Sequence, residues 1–126
     1  MTFPKSMADD AKVYDLFSMR PETFEPFTET CEQIMRGVSP LTPAQRELIG
    51  TYVSRLNSCP YCHDVHNEAV KAYGIDGDLT RKLTDDLDAA DVDDDFKVLL
   101  GFVRKITEAA YRVSETVTFL GAPSRI

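Results

Sequence analysis

The stretch NSCPYCHDVH, from Asn57 to His66, holds most of the chain's reactive side chains. The 126-residue sequence contains three cysteines and two histidines, and four of these five lie in this stretch. The odd number of cysteines argues against a framework of structural disulfides. A closely spaced Cys-x-x-Cys pair is more typical of redox-active thiols or of a metal site. The first question is therefore which chemistry this spacing supports.

A helix that begins at Cys59 or Pro60 would activate the thiols of this stretch. Proline is favoured at the first position of a helix. The unsatisfied N–H groups of the first turn carry partial positive charge, which favours a thiolate on Cys59. Cys62 lies within disulfide reach of Cys59, and His66 follows Cys62 by one turn on the same face. A neutral imidazole there can accept a thiol proton, so the spacing predicts a dithiol with a base beside it.

Two other interpretations of the stretch stay open. The paired cysteines and His66 supply three zinc ligands, and Cys31 or His63 would have to supply the fourth. On a helix, however, His63 points away from Cys62 and His66, and we expect it to be a surface residue. In the other interpretation the thiols are simply buried in a core, as we expect for Cys31. Tyr61 fits either a core or interface aromatic or a residue that shapes the site.

Glu47 is the candidate partner of the histidine. It lies twelve residues before Cys59, on the preceding predicted helix and beside the apolar Leu48 and Ile49. Judged from spacing alone, it is a solvated helix carboxylate. In the functional interpretation it pairs with His66, supports the imidazole as a base and passes protons onward.

The elements that position these residues are predicted to be helices. Thr42, Pro43 and Gln45 form an N-terminal capping box. An apolar stripe follows at helical spacing, and Asn57 with Ser58 ends that helix. The predicted helices span residues 8–19, 22–36, 43–56, 59–73 and 79–89, with a last one starting near residue 94. We expect an irregular tail over residues 112–126 and a single all-α domain over residues 1–126.

The helix that begins near Asp94 is more apolar than a surface helix. We expect Phe96, Leu99, Val103 and Ile106 to share one buried face. Val98, Leu100 and Phe102 widen this face. Such a helix needs to be covered, either at the centre of the fold or at a subunit interface.

Charge and hydropathy exclude some partners. The net charge of −7 argues against nucleic acid and anionic membrane surfaces. No stretch is apolar for long enough to span a bilayer. The N-terminal residues lack the basic-then-apolar pattern of a secretory signal, so we expect a cytoplasmic location.

The segment RELIGTYVSRLNSCPYCHDVH resembles the core motif of the carboxymuconolactone decarboxylase superfamily. More closely, it resembles the alkyl hydroperoxide reductase D-like branch of peroxidase-related proteins. That motif is a glutamate, eleven residues, a Cys-x-x-Cys pair and a histidine four residues after the second cysteine. Glu47, Cys59, Cys62 and His66 all fall in register. The resemblance covers residues 41–74, and Tyr61 departs from it where the best-known hydroperoxidases have a histidine.

The resemblance implies a catalytic role for each matched residue. Cys62 would attack the peroxide and become a sulfenic acid, and Cys59 would resolve it to a disulfide. His66 would relay protons, with Glu47 as its carboxylate partner. The helix-terminus reasoning favours Cys59 as the more activated thiol, whereas the resemblance assigns this role to Cys62. We adopt Cys62, because His66 lies one turn from it.

The resemblance also implies a fold and a reaction. The fold would be an all-helical bundle of the alkylhydroperoxidase D-like type, completed by assembly into a trimer or hexamer. The reaction would be thiol-dependent reduction of hydroperoxides, with no bound cofactor or metal. An external reductant, either a small dithiol or a thiol–disulfide reductant protein, would reopen the disulfide. The alternatives are a non-catalytic helical oligomer that senses redox state or binds a small molecule, and an enzyme like the decarboxylases, which typically lack the paired cysteines.

Overall fold

The computed structural model describes residues 7–8 and 10–113, and this part of the chain contains helices and no strands. The predicted all-α fold is therefore confirmed. The chain divides into two compact units between Pro40 and Leu41. The assignment of residues 1–126 to one domain stays a prediction. Of the predicted irregular tail, residues 114–126 lie outside the described residues.

Six α-helices and one 3-10 helix make up the secondary structure of the described residues. The first two helices belong to the N-terminal unit and the others to the second unit. None of the described helices is long and apolar enough to cross a membrane. The helices are α1 Val13–Ser18, α2 Pro21–Arg36, α3 Pro43–Leu56, α4 Pro60–Ala72, α5 Leu79–Asp85, α6 Asp94–Ala109 and the 3-10 helix Ala110–Arg112.

The start of α3 follows the predicted capping box. The Thr42 hydroxyl accepts the N–H of Gln45 at 3.2 Å, and the Gln45 side chain accepts the N–H of Thr42 at 2.9 Å. Pro43 occupies the first helical position. Two donors that the first turn would leave unsatisfied are therefore paired, which fixes where α3 begins.

Two helices are shorter than predicted. α1 begins at Val13 rather than near residue 8, because the Asp15 carboxylate accepts the N–H of Lys12 at 2.7 Å and caps the helix there. α5 ends at Asp85 rather than near residue 89. The Asp86 carboxylate accepts the N–H of Ala89 at 3.1 Å, so this backbone group bonds to a side chain instead of extending the helix.

The second unit packs around α3, which contacts α4, α5 and α6. Its core combines one face of α3 with single residues from α4 and α5, two from α6, and one from the segment between α5 and α6. Because α3 lies at the centre of this unit, side chains that it directs toward α4 are withdrawn from solvent. The buried apolar side chains are Leu48, Tyr52, Val70, Leu83, Ala90, Phe96 and Leu100.

The buried face of α6 is narrower than the predicted one. Phe96 and Leu100 are buried, and Leu99 and Val103 pack partly buried against the core. Ile106 is exposed instead. It follows Phe96 by ten residues, which rotates it by roughly 80° around the helix axis.

The buried phenol of Tyr52 predicts a pH dependence of stability. Burial raises the pKa of Tyr52, and the Arg104 guanidinium, 5.6 Å from the ring centroid, offsets part of the rise. This contribution to stability is complete below the ordinary phenol pKa of 10.0 and is lost as the pH rises through the folded-state pKa. We expect Tyr52→Phe to change the free energy of unfolding by less than about 1 kcal/mol at pH 7, because the ring stays in place.

At about pH 11 the wild-type protein should lose more stability than the Tyr52→Phe variant. Urea denaturation of both proteins at the two pH values measures the difference. An equal alkaline loss in the two proteins would show that Tyr52 does not titrate in the folded state.

Candidate active site

Cys59 and Cys62 lie at the beginning of α4 and are joined as a disulfide in the structure. Cys59 is the N-cap residue, and its sulfur accepts the N–H of Cys62 at 3.4 Å. Pro60 takes the first helical position, as predicted. The Cα atoms of the two cysteines are 5.5 Å apart, a separation normal for a disulfide. The sequence-based placement of the dithiol at a helix N-terminus is therefore confirmed.

A tight turn between α3 and α4 places the dithiol beside the end of α3. Ser58 adopts a φ of 54°, in the left-handed region that non-glycine residues rarely occupy. The next residue, Cys59, donates its N–H to the carbonyl oxygen of Ser54 at 2.9 Å. This bond pairs an N–H just outside α4 with a carbonyl near the end of α3. The connection is short enough to make α3 and α4 a helical hairpin.

His66 and Glu47 form a hydrogen-bonded pair between α4 and α3. The imidazole Nδ1 lies 2.6 Å from Oε2 of Glu47. Glu47 is 3% exposed, so the solvated interpretation from spacing is wrong, because α3 is the central helix of its unit. In the neutral imidazole, Nδ1–H donates to the carboxylate, which leaves Nε2 as the atom that accepts a proton.

Gly50 provides the space that the His66 ring occupies. A Cβ on Gly50 would lie 2.8 Å from Nδ1 and 2.9 Å from Cε1 of the ring, closer than Cβ atoms approach other atoms. Sequence analysis missed this residue. The available signal was a glycine inside a helix, three residues after Glu47, where glycine is less stable than alanine by about 1 kcal/mol.

A cleft of about 720 Å³ opens beside Cys59. Residues of α3, α4, α5 and α6 form its walls, and of the two cysteines only Cys59 lines it. Two arginines hold one wall in place through a single threonine. Arg55 donates to the Thr84 hydroxyl at 2.6 Å, and Arg104 donates to the Thr84 carbonyl oxygen at 2.9 Å. These bonds join α3 and α6 to α5 at the edge of the cleft.

His63 also lines the cleft, which corrects the expectation that it is a surface residue. Its side chain is 22% exposed, and its Nδ1 lies 3.0 Å from Oδ1 of Asp64. The position one turn after Cys59 directs it to the side of α4 that faces the cleft. Sequence analysis compared His63 only with Cys62 and His66, and so did not consider this side of the helix.

The alternative interpretations of the stretch fare differently. The buried-thiol interpretation is wrong, because Cys59 is partly exposed and Cys62, in the first turn of α4, is exposed. Cys31 is also only partly buried, and none of the residues of α2 is fully buried. Tyr61 is 49% exposed and therefore not a core aromatic. Over residues 7–8 and 10–113, no group of three or more His, Cys, Asp or Glu side chains is arranged to hold a metal ion.

Comparison with known proteins points to one family. The Carboxymuconolactone decarboxylase family matches residues 21–79. A solved structure of an uncharacterized peroxidase-related protein from Silicibacter sp. TM1040 is 31% identical, with a TM-score of 0.74. The alkylhydroperoxidase AhpD core of an uncharacterized peroxidase-related protein from Ralstonia eutropha JMP134 is 25% identical, with a TM-score of 0.71. Each alignment covers 82% of this chain and 55% of the other, so the chain spans about half the length of these two proteins. No curated protein matches the sequence.

Proposed function

This chain belongs to the carboxymuconolactone decarboxylase superfamily, in its alkyl hydroperoxide reductase D-like branch, and we propose that it is a thiol-dependent peroxidase. The observation that carries this proposal is the arrangement of α3 and α4. A Cys-x-x-Cys pair at a helix N-terminus is followed, one turn later, by a histidine bonded to a buried glutamate. The paired cysteines favour thiol redox chemistry over lactone decarboxylation.

The oxidative half of the reaction uses both cysteines. His66 accepts the thiol proton of Cys62 on Nε2, and the resulting thiolate attacks the terminal oxygen of the hydroperoxide. The O–O bond breaks, Cys62 becomes a sulfenic acid, and the alkoxide takes the proton and leaves as an alcohol. The Cys59 thiolate then attacks the Cys62 sulfur, and hydroxide leaves as water after it takes the Cys59 proton. The net result is one alcohol, one water and the Cys59–Cys62 disulfide.

Glu47 supports this proton transfer through its hydrogen bond to Nδ1 of His66. Its carboxylate is buried and 2.6 Å from Nδ1, so it orients the ring and stabilises the imidazolium that forms when Nε2 accepts a proton. Gly50 contributes by leaving room for the ring. The proton relay therefore depends on three residues, two of which lie one turn apart on α3.

The complete cycle needs partners that supply substrate and electrons. The substrate is a hydroperoxide, and the disulfide is reopened by a small dithiol or a thiol–disulfide reductant protein, with no bound cofactor or metal. We propose that the protein acts in the cytoplasm as a homo-oligomer, a trimer or hexamer. The exposed apolar residues of α6, Val98 and Ile106, support an oligomer because they would gain cover at a subunit interface.

A thiol count tests the proposed function. The fully reduced protein is mixed with one equivalent of tert-butyl hydroperoxide, and free thiols are measured over time. We expect three free thiols to fall to one within minutes, since Cys31 takes no part. Addition of excess dithiothreitol and hydroperoxide should then give repeated turnover. No thiol loss would refute the peroxidase, and a single oxidation without turnover would favour a redox sensor.

Replacing Glu47 by glutamine is expected to slow the oxidation of the dithiol on the order of 100-fold. Glutamine keeps the shape and a hydrogen bond to the ring but removes the charge that stabilises the imidazolium. The rate of thiol loss after hydroperoxide addition measures the effect, and circular dichroism checks that the helices persist. An unchanged rate would show that the buried carboxylate has only a structural role.

A further inference from the structure

We propose that the cleft beside Cys59 is where a small dithiol reopens the disulfide, with His63 as the residue that exchanges protons with it. The proposal rests on the peroxidase function, because only a cycling enzyme needs rapid reduction of this disulfide. It adds a place of attack and a proton carrier to that function. Peroxide and reductant would then approach the dithiol from different sides.

The position of the cleft selects Cys59 as the sulfur that a reductant bound there attacks. An incoming thiolate, the attacked sulfur and the leaving sulfur must lie nearly in line, so access decides which sulfur reacts. The cleft is lined by Cys59 and not by Cys62. A reductant held in the cleft therefore reaches Cys59 with Cys62 as the leaving group.

The cleft has the size and the fixed walls that a small ligand needs. Its volume of about 720 Å³ falls within the range of small-molecule sites. The bonds of Arg55 and Arg104 to Thr84 hold α3, α5 and α6 together along one wall. The charged side chains that line it are Arg55, Asp64, Asp85, Arg104 and Glu108. Both signs are present, so the cleft does not select strongly for a charged reductant.

His63 stands to Cys59 as His66 stands to Cys62. Each histidine follows its cysteine by four residues. The backbone N–H of His63 donates to the Cys59 carbonyl oxygen at 3.0 Å, so one regular helical turn separates His63 from Cys59. Like Nδ1 of His66, Nδ1 of His63 lies beside a carboxylate, here Asp64 at 3.0 Å. When Nδ1–H donates to Asp64, Nε2 is the atom that accepts a proton.

The reductive steps balance with a dithiol as the electron donor. His63 accepts the proton of the first thiol, and the thiolate attacks the Cys59 sulfur. The Cys59–Cys62 bond breaks, and Cys62 leaves as a thiolate that takes a proton from water, either directly or through His66. The second thiol of the reductant loses its proton to water. The resulting thiolate attacks the reductant's first sulfur, which is bonded to Cys59 in the mixed disulfide. Cys59 leaves with the electron pair and takes the proton from His63, so two electrons and two protons have passed to the protein.

Mapping the first adduct tests which sulfur is attacked. The oxidised protein is mixed with 2-mercaptoethanol, which has no second thiol of its own to resolve the mixed disulfide, and is quenched with N-ethylmaleimide before a second molecule reacts. Fragment mass spectrometry of the Cys59–Cys62 peptide then locates both groups. We expect 2-mercaptoethanol on Cys59 and maleimide on Cys62. The reverse pattern would overturn the proposal.

Separate measurement of the two half-reactions tests the cleft and His63. Glu108→Trp fills the cleft from the exposed face of α6, whereas Asp95→Trp also replaces an exposed carboxylate of α6 by tryptophan, but outside the cleft. We expect Glu108→Trp and His63→Gln to slow reduction of the disulfide by dithiothreitol roughly tenfold or more. The rate of oxidation by tert-butyl hydroperoxide should stay within about twofold, and Asp95→Trp should change neither rate.

The outcomes separate this proposal from the function on which it rests. If reduction is as fast in Glu108→Trp and His63→Gln as in the wild type, the cleft is not the reductant site. If both half-reactions slow equally, His63 and the cleft act only through the structure of α4. Protein oxidised with diamide allows the reductive half to be measured even if hydroperoxide does not oxidise the dithiol, in which case the peroxidase function fails and the cleft is still tested.

Discussion

Replacing Cys62 by serine is expected to abolish peroxide consumption, with a loss on the order of 1,000-fold or more. Cys62 is the more exposed residue of the pair, and serine offers no thiolate that can attack an O–O bond. Cys59→Ser should behave differently. Its Cys62 still reacts once and stops as a sulfenic acid, because no resolving thiol remains. Peroxide consumption, thiol counts and trapping of sulfenic acid with dimedone distinguish the two variants.

Cys31→Ser is the matched control, because Cys31 lies on α2 and outside the dithiol. It should keep the wild-type rate and lower the thiol count of the reduced protein by one. Sulfenic acid trapped on Cys59 in the Cys62→Ser protein would contradict this assignment. It would show that Cys59 attacks the peroxide and Cys62 resolves the sulfenic acid. The reversed roles would have a physical reason at the helix terminus, where the Cys62 N–H donates to the Cys59 sulfur and favours a thiolate there.

Replacing Gly50 by alanine is expected to slow the oxidation of the dithiol by about 100-fold. Gly50 itself takes no part in any of the proposed chemical steps. The added methyl group would overlap Nδ1 and Cε1 of His66, and so would push the ring away from Glu47. Stability should change less than activity. Alanine favours the helix by about 1 kcal/mol, and this gain opposes the strain of displacing the ring.

Gly101→Ala provides the control for the backbone effect. Gly101 lies inside α6, and a Cβ there meets no other atom within 4 Å. This substitution should raise the free energy of unfolding by about 0.5–1 kcal/mol and leave the rate of oxidation unchanged. The ring resonances of His66 should shift in the NMR spectrum of Gly50→Ala and not in that of Gly101→Ala. Full activity in Gly50→Ala would show that the ring can act from another position.

The parts of the site that the sequence predicted depend on local interactions. The capping box of Thr42 and Gln45 determines where α3 begins, and Pro60 determines where α4 begins. Cys59, Cys62 and His66 lie within two turns of one helix, so their mutual placement follows once the helix start is known. The chain segment that carries the chemistry was therefore the most predictable part of the molecule.

The parts that the sequence did not predict depend on which helix lies at the centre. The burial of Glu47 follows from the position of α3 among α4, α5 and α6, which spacing along one helix does not reveal. The place of His63 in a cleft has the same origin, because residues of four helices form that cleft. On α6, the predicted apolar face was wider than the buried one, and only Phe96 and Leu100 are fully buried in the core.

The hydrogen bond from the Cys62 N–H to the Cys59 sulfur couples the redox state to the stability of α4. A thiolate accepts such a bond more strongly than a disulfide sulfur, because it carries a full negative charge at the positive end of the helix. Reduction therefore strengthens the cap of α4, and by thermodynamic reciprocity a well-formed α4 favours the reduced dithiol. The change in helix stability on reduction and the change in the electron affinity of the dithiol on helix formation are thus two measurements of the same coupling free energy.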